Sequence, residues 1–348
     1  MLRNLFAFLL LCCAGCSVGN AGELRVLQLN IWGDATVVPG AFDALADEIA
    51  RLDAHVVALC EVNNHDGVTS ERLVEALKQR GQTWYGASGR CTGVQGTDVC
   101  VLSKYPIEEA VTGLSTVPGG VDMKVRLDVN GYDVLLYPAH LDYTHYACYL
   151  PRGYDGVTWR KLPAPDSDPQ AVLRMNRAST RDEAIAAFLE EVSRERADLI
   201  LLAGDFNEPS HLDWTDATRA MWDHDGCIVP WDCSVMLYGA GLRDVYRVIH
   251  PDPATHPGFT YPSDNPAKAV RELTWAPEAD ERDRIDFIYY LPGGAFEPQR
   301  VEVVGPSSSV VCSERVRETG GDTFIEPLGV WPSDHKGVLV TFKPVRKN

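Results

Sequence analysis

Six apolar runs in this chain end in, or start from, residues that carry amide, carboxylate or imidazole groups. Asn30 closes the run 24–29, Glu61 closes 56–60, His140 and Asp142 close 134–139, and Asp205 and Asn207 close 199–204. Asp286 heads 287–290, and Asp334 and His335 precede 337–342. A single strand that stops at a polar residue means little, because Asn, Asp and Gly form turns wherever strands stop. Six such endings are another matter. If the runs are strands of packed sheets, their ends meet on one rim, and a site there draws on positions 30 to 335. Two independent domains would split that site, so residues 22–348 read as one domain.

The patterns between these points alternate in period. Strand-like runs cover 24–29, 56–59, 99–103, 123–129, 132–137, 199–203, 285–290 and 337–342. Asn130-Gly131 between two of them is a hairpin signal, since both residues accept positive φ. Helical spacing appears over about 39–52, through Phe42, Leu45, Ala46 and Ile49, and over 69–80, through Leu73, Val74 and Leu77. A further helix starts at Thr180, with Glu183 at capping-box spacing, and buries Ile185, Phe188, Leu189 and Val192. Hairpins mixed with helix–strand alternation predict an α/β fold of two packed mixed sheets flanked by helices. Two irregular stretches, 143–168 and 213–283, interrupt the rhythm and read as insertions that carry local structure or cover a site.

Residues 1–21 stand apart from this fold. Arg3 precedes a ten-residue apolar stretch at 5–14, too short to span a bilayer and suited to a secretory signal. Cleavage after Ala21 leaves small residues, Gly19 and Ala21, at the two required positions. Cys16, after Ala14-Gly15, fits a lipoprotein acceptor instead, although Cys13 stands where that pattern prefers Leu. The expected location is therefore periplasmic, membrane-anchored as a lipoprotein, or secreted. Of the ten cysteines, seven follow Ala21. The pairs 91/100 and 227/233 enclose short stretches and are expected as local disulfides, while Cys60 in an apolar run is expected as a buried thiol. No close Cys/His pairing suits zinc.

The formal charge of −17 opposes any sequence-wide attraction to phosphate backbones or anionic lipid. A local site that neutralises phosphate with a metal is not affected by that total. Carboxylates and amide oxygens without thiolates suit a hard cation, Mg²⁺ or Mn²⁺, which also takes phosphate oxygens. Imidazole and amide groups suit the non-bridging oxygens, and a carboxylate can activate water. No G-x-S-x-G elbow or Walker loop offers a competing chemistry.

Leu29-Asn30, Cys60-Glu61-Val62, His140-Leu141-Asp142, Gly204-Asp205-Phe206-Asn207, Arg284-Ile285-Asp286-Phe287 and Ser333-Asp334-His335 follow one another in a characteristic order. In that order the chain resembles the endonuclease/exonuclease/phosphatase superfamily, over nearly all of residues 24–342. The resemblance implies a four-layer, DNase I-like sandwich and metal-dependent phosphoester hydrolysis without a covalent intermediate. It implies Glu61 as the main metal ligand with Asn30 beside it, and Asp334 near the metal or leaving group. Asp205 would activate water, Asn207 and His140 would hold phosphate oxygens, and His335 would contact the scissile phosphate with Asp286 orienting its ring. Asp142 reads equally well as a site residue or a turn residue.

Substrate choice is less determined. Tyr143, Tyr146, Tyr149, Tyr154 and Trp159, interleaved with Arg152, Arg160 and Lys161, follow His140 closely. Either they form a cover that touches the non-phosphate part of the substrate, with Tyr143, Tyr149, Arg152 and Trp159 as candidate contacts, or they are ordinary loop packing. Trp214, Trp222 and Trp231 read as core. Members of the superfamily cleave DNA, RNA, sphingomyelin or inositol phosphates. The acidic balance favours a small or lipid phosphoester and leaves a secreted nuclease second and a non-catalytic binding protein third. A monomer without a stable nucleic-acid partner is expected.

Overall fold

The computed structural model describes residues 22–62, 68–89 and 98–345. The expectations for residues 1–21 and for Cys91 lie outside them.

A seven-stranded sheet runs in the order β14 (Phe324–Ile325), β11 (Phe296–Val304), β15 (Gly337–Pro344), β1 (Leu24–Asn30), β2 (Val56–Cys60), β4 (Val99–Ser103), β3 (Tyr85–Ser88). A six-stranded sheet runs β5 (Ile107–Thr112), β6 (Met123–Val129), β7 (Tyr132–His140), β8 (Leu199–Asp205), β10 (Asp286–Tyr290), β9 (Arg243–Asp244). A short hairpin of β12 (Ser308–Val311) and β13 (Glu314–Arg317) lies apart. The helical segments are α1 (Trp32–Ala35, a single turn of left-handed backbone), α2 (Ala41–Leu52), α3 (Thr69–Gln79), α4 (Pro169–Asn176), α5 (Arg181–Val192), α6 (Asp232–Gly239) and α7 (Val245–Ile249).

The central strands are apolar throughout because both of their faces are covered. Alternate residues of β1, β2 and β8, such as Val26, Val56, Ala58, Leu201 and Ala203, join Val125, Leu136, Ile288 and Val340 in the core between the sheets. The intervening residues point outward. Leu27, Leu29, Val57 and Leu59 pack with Leu45 and Ile49 of α2 and Leu73 and Leu77 of α3. On the other side, Leu135, Ile200 and Leu202 pack with Ile185 and Phe188 of α5 and Leu237 of α6. The period of two thus divides one run between two cores, which gives helix, sheet, sheet, helix. Each buried aliphatic side chain contributes about 1.5–3 kcal/mol, so a one-residue register slip, which would exchange the faces, is strongly disfavoured.

Several expectations are corrected. The helix expected from about residue 39 begins at Ala41, because Gly40 at its N-cap has φ +77°. Thr180 does not close a capping box: its hydroxyl donates to the Pro118 carbonyl at 2.7 Å. Cys227 and Cys233 are separate buried thiols, Cys227 within the core of the insertions and Cys233 on the buried face of α6 in the outer core. Cys100 is likewise a buried free thiol, as is Cys60. The hairpin is as expected, with Asn130 at φ +55° and Gly131 at φ +87°. The two insertions build a small core of their own from Tyr149, Tyr154, Trp214 and Trp231, whereas Trp222 is only partly buried.

Candidate active site

Strand register brings the polar endings together. His140 is the last residue of β7 and Asp205 the last of β8, and the two are partners in a parallel ladder. Asp286, first in the antiparallel β10, is the partner of Asp205 on the other side. Asn30 ends β1 opposite Cys60, which places Glu61 one residue beyond. β15 runs antiparallel to β1, so Asp334 and His335 arrive on the same rim from the other direction. Gly204 permits this closeness: a Cβ there would lie 1.8 Å from the Ala139 carbonyl oxygen.

Asp205 is the centre of the cluster. Its Oδ1 accepts the Asn207 amide hydrogen at 2.8 Å, and its Oδ2 accepts from Asn30 Nδ2 at 3.1 Å. The same oxygen lies 3.7 Å from His335 Nε2 and 4.0 Å from His140 Nε2. Burial and the neighbouring Asp286 raise its carboxyl to about 6, against the opposing pull of the two imidazoles.

Each imidazole is anchored from behind. His335 Nδ1 lies 2.9 Å from Asp286 Oδ2, and Gln28 donates to the other oxygen of Asp286 at 2.8 Å. His140 Nδ1 lies 2.8 Å from Asp98 Oδ2. Burial alone would favour the neutral rings. The carboxylates prevail, chiefly Asp286 and Asp205 for His335 and Asp98 for His140, and both pKa values rise to about 10. At neutral pH two imidazolium groups therefore turn Nε2 toward Asp205.

Glu61 is held in a left-handed conformation, φ +60°, by an unusual turn. Trp32, Gly33, Asp34 and Ala35 all have positive φ. The turn points the Gly33 amide at Glu61 Oε2 (2.7 Å) and the Asp34 amide at the Glu61 carbonyl (2.7 Å). Such backbone costs about 1–2 kcal/mol per non-glycine residue, and here it orients a carboxylate.

The donor set fits a hard cation. Glu61 and Asp334 face the cluster with oxygen only, and Asp334 Oδ1 is buried without a hydrogen-bond partner. Burial and, against the pull of His335, Glu61 raise the Asp334 carboxyl to about 7. An orphaned buried carboxylate oxygen in a crowd of carboxylates is what a divalent ion would relieve. Asp205, Asp286 and His335 also bring ligand atoms within 4.8 Å of one another. There, however, both Asp286 oxygens are engaged, by Gln28 and His335, so Asp286 orients the ring and leaves ion binding to others. Asn30 lies beside Glu61: its oxygen accepts the Trp32 amide at 3.0 Å, and its nitrogen donates to Glu61 and Asp205, so it braces both carboxylates.

Of the substrate candidates, Tyr143, Tyr149 and Trp159 line a cleft of about 370 Å³ together with Glu61, His140, Asp205, Asn207, Asp334 and His335. Asp142 and Arg152 do not line it. The Asp142 carboxylate accepts from Thr144 and Thr180 and ties the start of α5 to the end of β7. Arg152 is buried in an ion pair with Asp283 under the insertions. Asp98 and Gln28 are the positioning residues that the sequence reading missed. Asp98 heads the run 99–103, the same strand-end signal as the others; Gln28 is a polar residue inside a strand and carries no such signal.

Comparison with known proteins agrees with this geometry. An uncharacterized protein of Caenorhabditis elegans, F14F9.5, is 27% identical over 302 residues, which cover 83% of this chain and 88% of that protein. Human sphingomyelin phosphodiesterase 2 is 25% identical over 92% of this chain, which spans 64% of the human protein's length. Among solved structures, TDP2 from C. elegans matches with a TM-score of 0.51 at 17% identity, covering 92% of this chain and 75% of that one. The Neisseria 3′ phosphatase NExo, bound to a product DNA hairpin, matches at 0.51 and 18% identity, covering 91% and 98%. These two structures share the fold. The family model for the endonuclease/exonuclease/phosphatase family matches residues 27–335, and with its motif residues gathered on one rim of two packed sheets, the chain belongs to that family.

Proposed function

We propose that this phosphoesterase is an exported, Mg²⁺- or Mn²⁺-dependent hydrolase of a small or lipid phosphodiester. The carrying observation is Asp205, a buried carboxylate raised to about 6 between two imidazolium rings. A base with a pKa just below neutral is ionised at working pH and still accepts a proton readily. Export rests on the sequence of residues 1–21.

Glu61 and Asp334 would hold the ion, which would supply positive charge to offset the negative charge of the phosphoryl group. The remaining steps belong to the chain's own groups. Asp205 orients water and takes its proton as the oxygen attacks phosphorus. The Nε2–H groups of His140 and His335 bind phosphate oxygens and stabilise the charge that develops on them. Asn207, held at φ +50° with its amide against the Leu141 carbonyl, closes the same side of the site. The bond from phosphorus to the alcohol oxygen then breaks, the leaving oxygen takes a proton from solvent water, and Asp205 returns the proton it accepted to solvent. No seryl or cysteinyl intermediate is needed, and neither side chain lines the cleft among the described residues.

A diester carries one negative charge, which the two imidazolium groups and an ion can match without help from lysine or arginine. The human relative's name, sphingomyelin phosphodiesterase 2, supports a lipid phosphodiester among the candidates. The test is a panel of phosphomonoesters, phospholipid diesters, inositol phosphates and single- and double-stranded nucleic acid, each with Mg²⁺, Mn²⁺ or chelator. Metal-dependent turnover of a diester, lost in Asp205→Asn, supports the reading. Exclusive cleavage of nucleic acid, with the salt sensitivity of phosphate contacts, would replace it with a nuclease.

A further inference from the structure

Beside the catalytic groups, the cleft wall is aromatic. Trp159 from the first insertion and Trp275 from the second pack ring to ring, with centroids 5.0 Å apart and planes tilted by 37°. Tyr143 stands on the same cleft and is 60% exposed; Trp275 is 53% exposed. Large aromatic surfaces left open to water at a cleft mouth call for a partner.

Trp275 is exposed but not loose. The buried Glu281 carboxylate accepts the backbone amides of Trp275 and Ala276 at 3.2 and 3.1 Å, and the hydroxyls of Thr274 and Tyr149. Tyr149 belongs to the first insertion, so one carboxylate locks the two aromatic walls together. This corner is preorganised to present ring faces.

The charge around it selects the ligand. Among the described residues, the cationic groups that line the cleft are His140 and His335, at its catalytic end beside Glu61, Asp205 and Asp334; no lysine or arginine lines it. Of the basic residues in the first insertion, Arg152 pairs with Asp283 and Lys161 with Glu278. Arg160, next to Trp159, is exposed but does not line the cleft, so a second anionic group at the aromatic corner would meet no lining lysine or arginine. A positively charged group would meet the negative faces of the indole rings, and an alkylated ammonium, which is weakly hydrated, gains most from that contact.

We propose that the Tyr143–Trp159–Trp275 corner binds an alkylated ammonium group carried on one ester arm of the phosphodiester. This inference rests on the phosphodiesterase reading and names the kind of diester that the site prefers. The ammonium could arrive on a lipid headgroup or on a soluble ester.

Two soluble diesters with the same p-nitrophenyl leaving group separate charge from shape: the choline ester and its neutral 3,3-dimethylbutyl isostere. The full-length protein with Mg²⁺ is expected to favour the choline ester about 3- to 30-fold in kcat/KM. Trp275→Ala should bring that ratio toward one, and Trp275→Phe, which keeps a ring, should restore most of it. Equal rates for the two esters in the unaltered protein would overturn the proposal and leave apolar contact alone. In parallel, phosphocholine and 3,3-dimethylbutyl phosphate are titrated against tryptophan fluorescence. If neither diester turns over, the hydrolase reading fails on these substrates. The fluorescence titration still decides the subsite, with tighter phosphocholine binding in its favour and equal binding against it. Vesicles of choline phospholipid run beside the soluble ester identify the source: faster turnover on vesicles points to a headgroup, and faster turnover of the soluble ester to a free small molecule.

Discussion

Asp205 is a strong base for its surroundings only while it is ionised. Its pKa of about 6 therefore predicts an acid limb in kcat/KM: activity is full above pH 7 and falls tenfold per unit below 6, as a pH–rate profile would read. Asp205→Asn should lower kcat by about 10²–10⁴ with the fold intact. Asp98 acts at one remove. Because its carboxylate overcomes the burial of His140, Asp98→Asn should let that imidazole lose its proton at lower pH, visible as a shifted ring titration by NMR. These roles were unequally legible. Asp205, His140, Asp286, Glu61, Asp334 and His335 announce themselves at the ends of apolar runs, since an ionisable group there needs a reason to be beside a buried strand. Gln28 sits within such a run, and its job appears only when β10 brings Asp286 across from the other sheet. Asp142 and Arg152 carry the right chemistry and face the wrong way, which sequence proximity to His140 could not reveal.

Among the elements, β7 and β8 bear the most consequence, because their ladder sets the distance between His140 and Asp205. Gly204→Ala should be the most damaging small substitution in the molecule. Its methyl group would meet the Ala139 backbone, which cannot swing aside as a side chain can. We expect a loss of about 3 kcal/mol or more in urea unfolding, together with loss of activity in whatever remains folded. The strands that were legible are the doubly buried ones, whose apolar runs leave little choice, and β6, whose buried residues alternate with more exposed ones. The others hide for physical reasons. β5 is an edge strand with Glu108 and Glu109 exposed, and β11 contains Pro298 with a break in register between Pro298 and Arg300. Edge positions and bulges tolerate charge and proline, so these stretches lack the periodicity that betrays a strand.

Taken as a whole, the molecule keeps its candidate catalytic groups on the central strands and its aromatic corner on the insertions, whose core includes His224 stacked on Trp214 at 3.7 Å between ring centroids. Burial, and then the charge of Arg152, push that imidazole down to about 2. An imidazole with a native pKa below its unfolded value near 6.5 binds fewer protons when folded. Stability is thus full above pH 6.5 and falls as the pH drops, by about 1.4 kcal/mol per unit from this group alone. His224→Phe should flatten that dependence between pH 6.5 and 4 in denaturant titrations. The insertions were legible as interruptions, but their enclosed core was not, because its contacts join residues more than a hundred positions apart, such as Tyr149 and Glu281. The course of β1 carries one more consequence. The strand begins at Leu24 beside the far end of β15 and reaches the catalytic rim only at Asn30, about 20 Å further on. Seven residues separate Cys16 from Leu24, a leash of at most about 29 Å. If Cys16 is the anchored residue, that reach exceeds the length of β1, so the tether lets the cleft face either the solvent or the leaflet that holds it. An anchored form would then work within one tether length of its own membrane, whereas a form cut after Ala21 would be free to turn its cleft to any bilayer.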